Sequence, residues 1–349
     1  MDGTRRDFVR WLGAGVAGAV GARPVMAWAD RLRILGGGEG PAAAPLPEPV
    51  SPELRRFLAG VRVVGEAGRH GPLRAFWLAG APPAAPLGVA TLEEARARGD
   101  LLIAERDQAT VPELVVENRG KAYVLLLAGE ILLGGKQNRV LTEDLLLPPL
   151  SGPRAIGVYC VEQGRWSGRS TQFDARGSFA APGLRAKVLE RAEQGRVWAE
   201  VDRYARSAAA PSATRSYQAI YDRPEVKQDL EEAERRLDGR SAPGALGAAV
   251  FVGAALAGLD LFFDPGLFAR EWPKLLRAQA VEAYRRGPEA QPAERGLRGR
   301  AEELLRLMAE TEGSVRTSAG VGRLFESRVA GYRACALVFE GRVVHTAIV

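Results

Sequence analysis

The sequence AYVLLLAGEILLGGKQNRVL, residues 122–141, sets two apolar runs around a glycine and then passes through a polar turn into a third apolar run. Such runs, bounded by glycine, are typical of buried β-strands. Four similar runs lie close by: LLIAER at 101–106, ELVVEN at 113–118, DLLLPP at 144–149 and AIGVYCVE at 155–162. Short strands at intervals of about ten residues predict an antiparallel sandwich or open barrel, not a parallel α/β sheet.

Helix patterns surround these strands. Ser51 and Thr91 are each followed by residues typical of a helix start. Apolar residues at helical spacing predict further helices within 184–237 and 267–311, and strand patterns return over 321–349. The sequence therefore predicts an α+β fold, with several helices packed on an antiparallel β-sandwich or open-barrel core.

The chain divides into a targeting segment, a linker and one domain. Residues 1–29 resemble a twin-arginine export signal, because TRRDFVR at residues 4–10 precedes a short stretch rich in glycine and alanine. No apolar run approaches the roughly 20 residues that a membrane helix needs, so we expect a periplasmic or otherwise exported protein without a membrane span after signal removal. A Gly/Pro-rich linker at 30–50 leads to a single α+β domain at 51–349, whose β-rich part is 61–166.

Charge and composition argue against several functions. The formal charge is +6, and loss of the four arginines and two aspartates of the signal segment leaves +4. Because the basic residues form no cluster interleaved with aromatic side chains, no nucleic-acid binding is predicted. The only histidines are His70 and His345, and no HExxH, paired CxxC or DxDxDG motif occurs, so no metal site is predicted. The sequence identifies neither a cofactor nor a protein partner.

The two cysteines, Cys160 and Cys335, both lie in apolar, strand-like sequence. In an oxidising compartment they could pair, or they could be two buried, inert thiols. The sequence leaves both possibilities open.

A polar cluster follows the second apolar run at residues 134–139, GGKQNR, here named the glycine segment. Two glycines allow a sharp turn that can direct backbone N–H groups toward an anion. Lysine and arginine add cationic donors, and the two amides carry both donors and acceptors. The combination suits a phosphate or carboxylate. The candidate ligand-binding residues are Gly134, Gly135, Gln137, Asn138 and Arg139, and Lys136 is a candidate catalytic residue.

A second polar cluster, residues 160–166, CVEQGRW, ends a predicted strand and is here named the strand-end segment. Arg165 can bind an oxyanion through two hydrogen bonds, and Trp166 offers a flat face for a base or a sugar. Glu162 is a candidate general base. In the alternative interpretation, Trp166 plugs the end of the core and Arg165 stacks on it. We expect the two segments to converge in space.

Glu130 lies among apolar residues, where a charge is costly unless it is paired. Lys136, six residues later and across the glycine turn, is its expected ion-pair partner. Two interpretations stay open. In one, Glu130 is a general base and Lys136 stabilises negative charge. In the other, the pair is a buried brace that fixes the hairpin.

Several stretches resemble one bacterial family, named for its association with ADP-ribosylglycohydrolases and with rhodanese and phosphatase superfamily proteins. They are VPELVVENRGKAYVLLLAGEILLGGKQNRVL, GVYCVEQGRW, RVWAEVDRY and the closing GRVVHTAIV. The resemblance covers about residues 50–349. It implies an association with ADP-ribose or phosphate chemistry and fixes no activity.

Three functions remain open at this point. The first is binding of a small anionic ligand, phosphate-bearing or nucleotide-like in the manner of ADP-ribose, at the two polar segments. The second is a metal-independent hydrolase or transferase that uses Glu130 or Glu162 as general base with Lys136. The third is a structural envelope protein whose polar clusters are internal braces. The sequence favours binding.

Overall fold

The computed structural model describes residues 51–349, except 82–84, 86, 106–111, 166, 169, 238–241, 285 and 287–292. The predicted export signal (1–29) and linker (30–50) lie outside the described residues. The helices are α1 (Pro52–Ala59), α2 (Leu92–Ala97), α3 (Pro182–Leu189), α4 (Gln194–Ser207), α5 (Gln218–Asp222), α6 (Pro224–Arg236), α7 (Pro265–Ala283) and α8 (Glu294–Glu310).

The strands belong to three sheets. In chain order they are β1 (Arg62–His70), β2 (Leu73–Ala79), β3 (Val89–Ala90), β4 (Leu101–Ala104), β5 (Glu113–Asn118), β6 (Tyr123–Leu126), β7 (Ile131–Gly134), β8 (Arg139–Leu141), β9 (Leu145–Leu147), β10 (Gly152–Cys160), β11 (Phe173–Asp174), β12 (Ala245–Val252), β13 (Ala255–Phe262), β14 (Gly313–Thr317), β15 (Arg323–Val329), β16 (Tyr332–Phe339) and β17 (Arg342–Ile348).

Six strands form a nearly closed antiparallel barrel. Their order is β11-β7-β8-β10-β5-β4, and a bridge between Ala104 in β4 and Gln172 beside β11 brings the two outer strands together. Along β5 and β10, buried and more exposed residues alternate, as expected where one face lines an interior. Apolar side chains such as Ile103, Val116 and Leu141 fill that interior. The predicted α+β fold with an antiparallel, barrel-like core is therefore confirmed.

Eight strands form a second antiparallel sheet, in the order β1-β2-β12-β13-β17-β16-β15-β14. Helix α7 covers one face, where Trp272 lies edge-on to Trp77 of β2 with ring centroids 5.2 Å apart. Helices α1 and α8 cover the other face, where Leu54 and Met308 share a core with Phe76. Because both faces are covered, β2 and β12 are almost continuously buried and show no polar alternation. The remaining strands form a small sheet, β3-β6-β9.

The helix starts follow the predicted capping chemistry. The Ser51 side chain accepts a hydrogen bond from the Leu54 amide at 3.3 Å. Thr91 and Glu94 form a complete capping box before α2. Within the described residues, none of the helices combines the length and the apolar character needed to cross a membrane.

One strand pair differs from its sequence pattern, and one strand has no clear pattern. The apolar stretches AAVFVGA at 248–254 and LDLFF at 259–263 predict two strands joined by a turn at Ala257 and Gly258, but Gly258 lies inside β13, opposite Val250. A side chain at Gly258 would collide with Gln279 of α7, so this glycine allows close packing and does not mark a turn. Strand β14 gives no apolar signal, because it is a sheet edge whose side chains are half-buried or exposed.

One buried amide ties the barrel to the small sheet. Asn118 ends β5 and is fully buried. Its Nδ2 donates to the carbonyls of Ala122 at 2.8 Å and Pro148 at 2.9 Å, and its Oδ1 accepts from the Gly120 amide at 2.9 Å. These contacts hold the turn after β5 against the end of β9.

We expect Asn118→Ala to lower the free energy of unfolding by about 3 kcal/mol, because it leaves several buried backbone groups without partners. Urea denaturation of the full chain measures the loss. Gln228→Ala, on an exposed position of α6, is the control and should change stability by less than about 0.5 kcal/mol. Equal stability of the two variants would contradict the bridging role of Asn118.

Candidate functional site

The glycine segment turns sharply at the end of β7. Gly134 and Gly135 have φ values of 150° and 50°, which side chains rarely adopt. A side chain at Gly135 would also collide with the Phe173 ring. The turn brings the Lys136 amide to Glu105, whose Oε1 accepts its hydrogen bond at 2.9 Å. The predicted glycine turn is therefore present, and its backbone packs against β4 and β11.

The structure brings the strand-end segment onto this turn. Arg165 donates from Nη1 to the Gly135 carbonyl at 2.6 Å and from Nη2 to Asn138 Oδ1 at 3.0 Å. Gln137 Nε2 donates to the Gln163 carbonyl at 3.4 Å. The two segments thus converge, as expected from the sequence. Trp166 lies outside the described residues.

Glu162 and Arg165 form an ion pair within this junction. Both Nε and Nη2 of Arg165 donate to Glu162 Oε2, at 3.0 and 2.7 Å. The other carboxylate oxygen accepts from Thr214 Oγ1 at 2.7 Å, and the Asn138 amide donates to Oε2 at 3.1 Å. Burial alone would raise the pKa of Glu162, but these hydrogen bonds outweigh burial and hold the pKa below its ordinary value. The geometry favours a brace over proton transfer for this pair.

Arg139 occupies a different environment, inside the end of the barrel. Arg139 lies two residues before Leu141 on β8, so both side chains face the barrel interior. Its register partner on β10 is Cys160. The side chain is nearly buried, at 3% exposure. Nη1 donates to the backbone carbonyl and the side-chain Oε1 of Gln137, at 3.3 and 3.2 Å. Nε has no partner, and no hydrogen bond from Nη2 occurs within the described part of the chain.

Glu105 and Cys160 complete this region, here named the barrel end (Glu105, Gln137, Arg139 and Cys160). Burial raises the pKa of the Cys160 thiol to about 11, against the opposing charge of Arg139 and with a smaller contribution from Glu105. The barrel end is therefore a nearly buried, polar layer beneath the glycine turn. Among the described residues, no carboxylate lies within ion-pair distance of Arg139.

Glu130 does not belong to the barrel end. Its Oε1 lies 2.5 Å from Lys274 Nζ on α7, and its Oε2 has no partner. The expectation that Lys136 is its ion-pair partner is therefore wrong. Lys274 also lies 3.0 Å from Glu93 of α2 and 2.7 Å from Glu271 of its own helix, the latter in ion-pair contact without hydrogen-bond geometry. One buried lysine thus serves three carboxylates.

A second set of buried charges adjoins the first. His345 of β17 contacts Asp144 through Nδ1 at 2.7 Å and Asp260 of β13 through Nε2 at 3.2 Å. Arg185 of α3 donates to Asp260 at 2.7 Å and to the Ala128 carbonyl at 3.0 Å. His345 is thus a buried, hydrogen-bonded strand histidine, as its alternation with apolar residues in VVHTAIV predicts. The two sets together are here named the ionic network, which comprises Glu93, Glu130, Asp144, Arg185, Asp260, Glu271, Lys274 and His345.

Proton affinities within the ionic network are strongly shifted. Burial raises the pKa of Glu130 to about 8, although Lys274 opposes the shift. Burial would lower the pKa of Lys274, but its three carboxylate neighbours raise it well above its ordinary value. Burial would likewise lower the pKa of His345, but Asp144 and Asp260 raise it to about 9. These shifts favour the charged forms of Lys274 and His345 and the protonated form of Glu130.

Most of the ionic network escaped the sequence analysis. Asp260 within LDLFF and Lys274 within a largely apolar helix did carry a signal, since each is a charge inside an apolar run. Within the described part of the chain, no group of three or more histidine, cysteine, aspartate or glutamate side chains is arranged to hold a metal ion. Cys160 and Cys335 are free thiols.

The protein is an α+β protein in which the six-stranded barrel and the eight-stranded sheet share one buried ionic network. Residues 62–349 match the family model of the ARG and Rhodanese-Phosphatase-superfamily-associated Protein domain. The chain belongs to this family, as the resemblance predicted. No curated protein and no solved structure matches the chain.

We expect stability to fall as pH rises from 6.5 to 9. A glutamate with a folded-state pKa of about 8 and a histidine with one of about 9 each bind a proton more tightly when folded. Glu130 therefore loses its contribution between pH 4.5 and about 8, and His345 between pH 6.5 and about 9. Each group contributes roughly 1.4 kcal/mol per pH unit across its own interval. Urea denaturation at pH 6, 7.5 and 9 measures the slope, and Glu130→Gln should reduce it. A flat or rising profile would contradict these assignments.

Replacing Lys274 should be costly, because the carboxylates around it would remain buried without a cation. We expect Lys274→Met to lower the free energy of unfolding by about 3–5 kcal/mol. The loss should be larger at pH 9 than at pH 6, since Glu130 ionises between them. Lys187→Met is the matched control, because Lys187 forms a partly exposed pair with Glu190 that should contribute less than about 1 kcal/mol. Similar losses in both variants would refute the central role of Lys274.

Proposed function

We propose that this protein binds a small anionic ligand, phosphate-bearing or nucleotide-like, at the barrel end. The observation that carries the proposal is Arg139, a guanidinium with 3% exposure whose Nε has no partner. A buried charge is costly unless it is paired, by several kcal/mol for an ion in the protein interior. An anionic ligand would supply the missing counter-charge.

The Nε and Nη2 atoms of Arg139 have a geometry that suits binding of an anion. The Nε and Nη2 hydrogens of an arginine point the same way and can bind two oxygens of one carboxylate or phosphate. Arg74 uses this edge on Glu66, with Nε and Nη2 donating to the two carboxylate oxygens at 3.0 and 2.7 Å. Within the described residues, the hydrogen bonds of Arg139 run from Nη1 to Gln137 and leave Nε and Nη2 unused. The same recognition chemistry is therefore available to a ligand.

The surrounding residues divide into two roles in this proposal. Arg139 and Gln137 contact the ligand, and Lys136, on the turn above, adds positive charge to the same end of the barrel. Gly134, Gly135 and Asn138 shape the turn, and Glu162 and Arg165 brace it from outside. Arg165 therefore acts on the ligand only through the turn, because its donors are engaged by Glu162 and by the glycine segment.

Catalysis is the second candidate, supported by the raised pKa of Glu130 and its unpartnered Oε2. Glu130 has 1% exposure and is tied to Lys274, and the pKa of Glu162 is held low. Neither carboxylate combines a raised pKa with an open cleft, so the geometry supports binding better. A purely structural role in the envelope would not account for the Nε–Nη2 edge of Arg139, which has no partner among the described residues.

ADP-ribose is the first ligand to test, because the family is named for its association with ADP-ribosylglycohydrolases. The same proposal includes export through the twin-arginine route, which rests on TRRDFVR at residues 4–10. Fractionation of cells that express Arg5→Lys/Arg6→Lys and wild-type chains would test the export step separately.

Arg139→Gln separates a binding residue from a brace. We expect the variant without ligand to be as stable as the wild type, within about 1 kcal/mol, or more stable, because an unpaired buried charge is removed. ADP-ribose, ribose 5-phosphate and inorganic phosphate are then added to the full chain in a thermal-shift titration. At least one of them should raise the melting temperature of the wild type and leave that of Arg139→Gln unchanged.

Arg165→Gln is the matched control, because Arg165 makes several hydrogen bonds to the glycine segment and to Glu162. It should lower stability by about 2 kcal/mol or more without ligand. The proposal fails if Arg139→Gln is destabilised as much as Arg165→Gln, or if no probe at 10 mM raises the melting temperature of the wild type.

A further inference from the structure

A polar cavity of about 370 Å³ lies away from the barrel end, where residues 176–178 meet helices α5, α6 and α7. This volume is within the range of small-molecule sites in proteins. The side chains that line it carry both signs of charge. Those that the argument uses are Ser178, Gln218, Asp222, Lys227, Glu231 and Arg277.

Cationic groups with uncommitted nitrogens lie on one part of the wall. Arg277 donates from Nε to Glu234 at 2.5 Å, and its two Nη atoms make no hydrogen bond within the described part of the chain. Nη1 approaches the chain at Gly177, which leaves room for the guanidinium beside the cavity. Lys227 is exposed and forms no ion pair with a described residue. These groups can donate hydrogen bonds to a carboxylate.

The cavity wall also includes hydrogen-bond acceptors. Gln218 is buried, with 8% exposure; its Nε2 donates to Asp222 at 3.0 Å, and its Oε1 has no partner. Glu231, one turn along α6 from Lys227, adds a second carboxylate. Ser178 has 5% exposure, and its hydroxyl makes no hydrogen bond with the described residues. A ligand that brings N–H donors would satisfy these acceptors.

The cavity has a rigid frame. The Tyr221 hydroxyl donates to the Phe179 carbonyl at 2.7 Å, and the Tyr217 hydroxyl accepts from the Ala181 amide at 2.8 Å. Phe179 in turn forms a β-bridge with Glu130. These contacts fix the chain directly after Ser178, on one side of the cavity.

We propose that this cavity binds a small zwitterion, a free α-amino acid or a dipeptide. The Arg277 guanidinium and the Lys227 ammonium receive the ligand carboxylate. Asp222, Glu231 and the Gln218 amide oxygen receive its ammonium group. A simple anion would meet the two carboxylates of the wall, and a simple cation would meet the basic groups, so the mixed lining selects a molecule with both charges.

Isothermal titration of the full chain tests this assignment. The probes are glycine, L-alanine, L-glutamate, L-arginine and glycylglycine, each up to 10 mM. Acetate, methylamine and inorganic phosphate serve as single-charge comparisons. We expect at least one zwitterion to bind, and to bind about tenfold or more tightly than acetate and methylamine. Absence of binding by every zwitterion would overturn the proposal. Acetate or phosphate binding that equals zwitterion binding and persists in Arg139→Gln would also overturn it, because the proposed anion site at the barrel end can bind a simple anion by itself.

Variants locate the binding. Arg277→Gln should weaken the zwitterion about tenfold or more, and Lys227→Gln should also weaken it. Because Arg277 also pairs with Glu234, Lys227→Gln on the exposed surface of α6 keeps the test valid if Arg277→Gln loosens the helix packing. Lys121→Gln is the matched control at another exposed lysine and should have no effect. Unchanged binding in both cavity variants would refute this location, whereas unchanged binding in Arg139→Gln is expected for a site independent of the barrel end.

Discussion

The ionic network is the constraint on which the rest of the structure depends. Charges in a protein interior cost free energy unless opposite charges meet them at close range. Here Glu130 and Asp144 come from loops of the barrel side, Asp260 and His345 come from the eight-stranded sheet, and Lys274 comes from the helix between them. Apart from the pair of Lys274 with Glu271 on α7, the ion pairs of this network join different elements. The network therefore links the two β structures, because several of its charges meet their partners only across the junction between them.

At the barrel end, a buried charge lacks the counter-charge that the members of the ionic network have. Arg185 is buried and meets Asp260 at 2.7 Å, and Arg165 is saturated by Glu162 and the glycine segment. Arg139 is as deeply buried as Arg185, but within the described part of the chain it hydrogen-bonds only to Gln137. Glu130 Oε2 and Arg185 Nη2 also lack hydrogen bonds, but each of those side chains contacts an opposite charge, whereas Arg139 contacts none among the described residues. The proposal of an anion site rests on that contrast.

Local sequence patterns predicted the barrel strands and the convergence of the two polar segments, because strand alternation and glycine turns depend on neighbouring residues. It could not supply the partner of Glu130, since Lys274 lies 144 residues away and Lys136 was the nearest cation in sequence. Nor could it separate Arg139 from Arg165. Both are arginines at the end of a strand pattern, and only three-dimensional neighbours show that one faces the barrel interior and the other the backbone of a turn.

The two cysteines have a consequence for how the protein reaches its final state. Cys160 lies in barrel strand β10 and Cys335 in β16 of the larger sheet, and both are buried free thiols. Burial raises the pKa of each, so neither supplies the thiolate that disulfide exchange requires. Maturation of this fold therefore needs no oxidant and no isomerase. The folded domain therefore has the same free thiols whether its surroundings are reducing or oxidising.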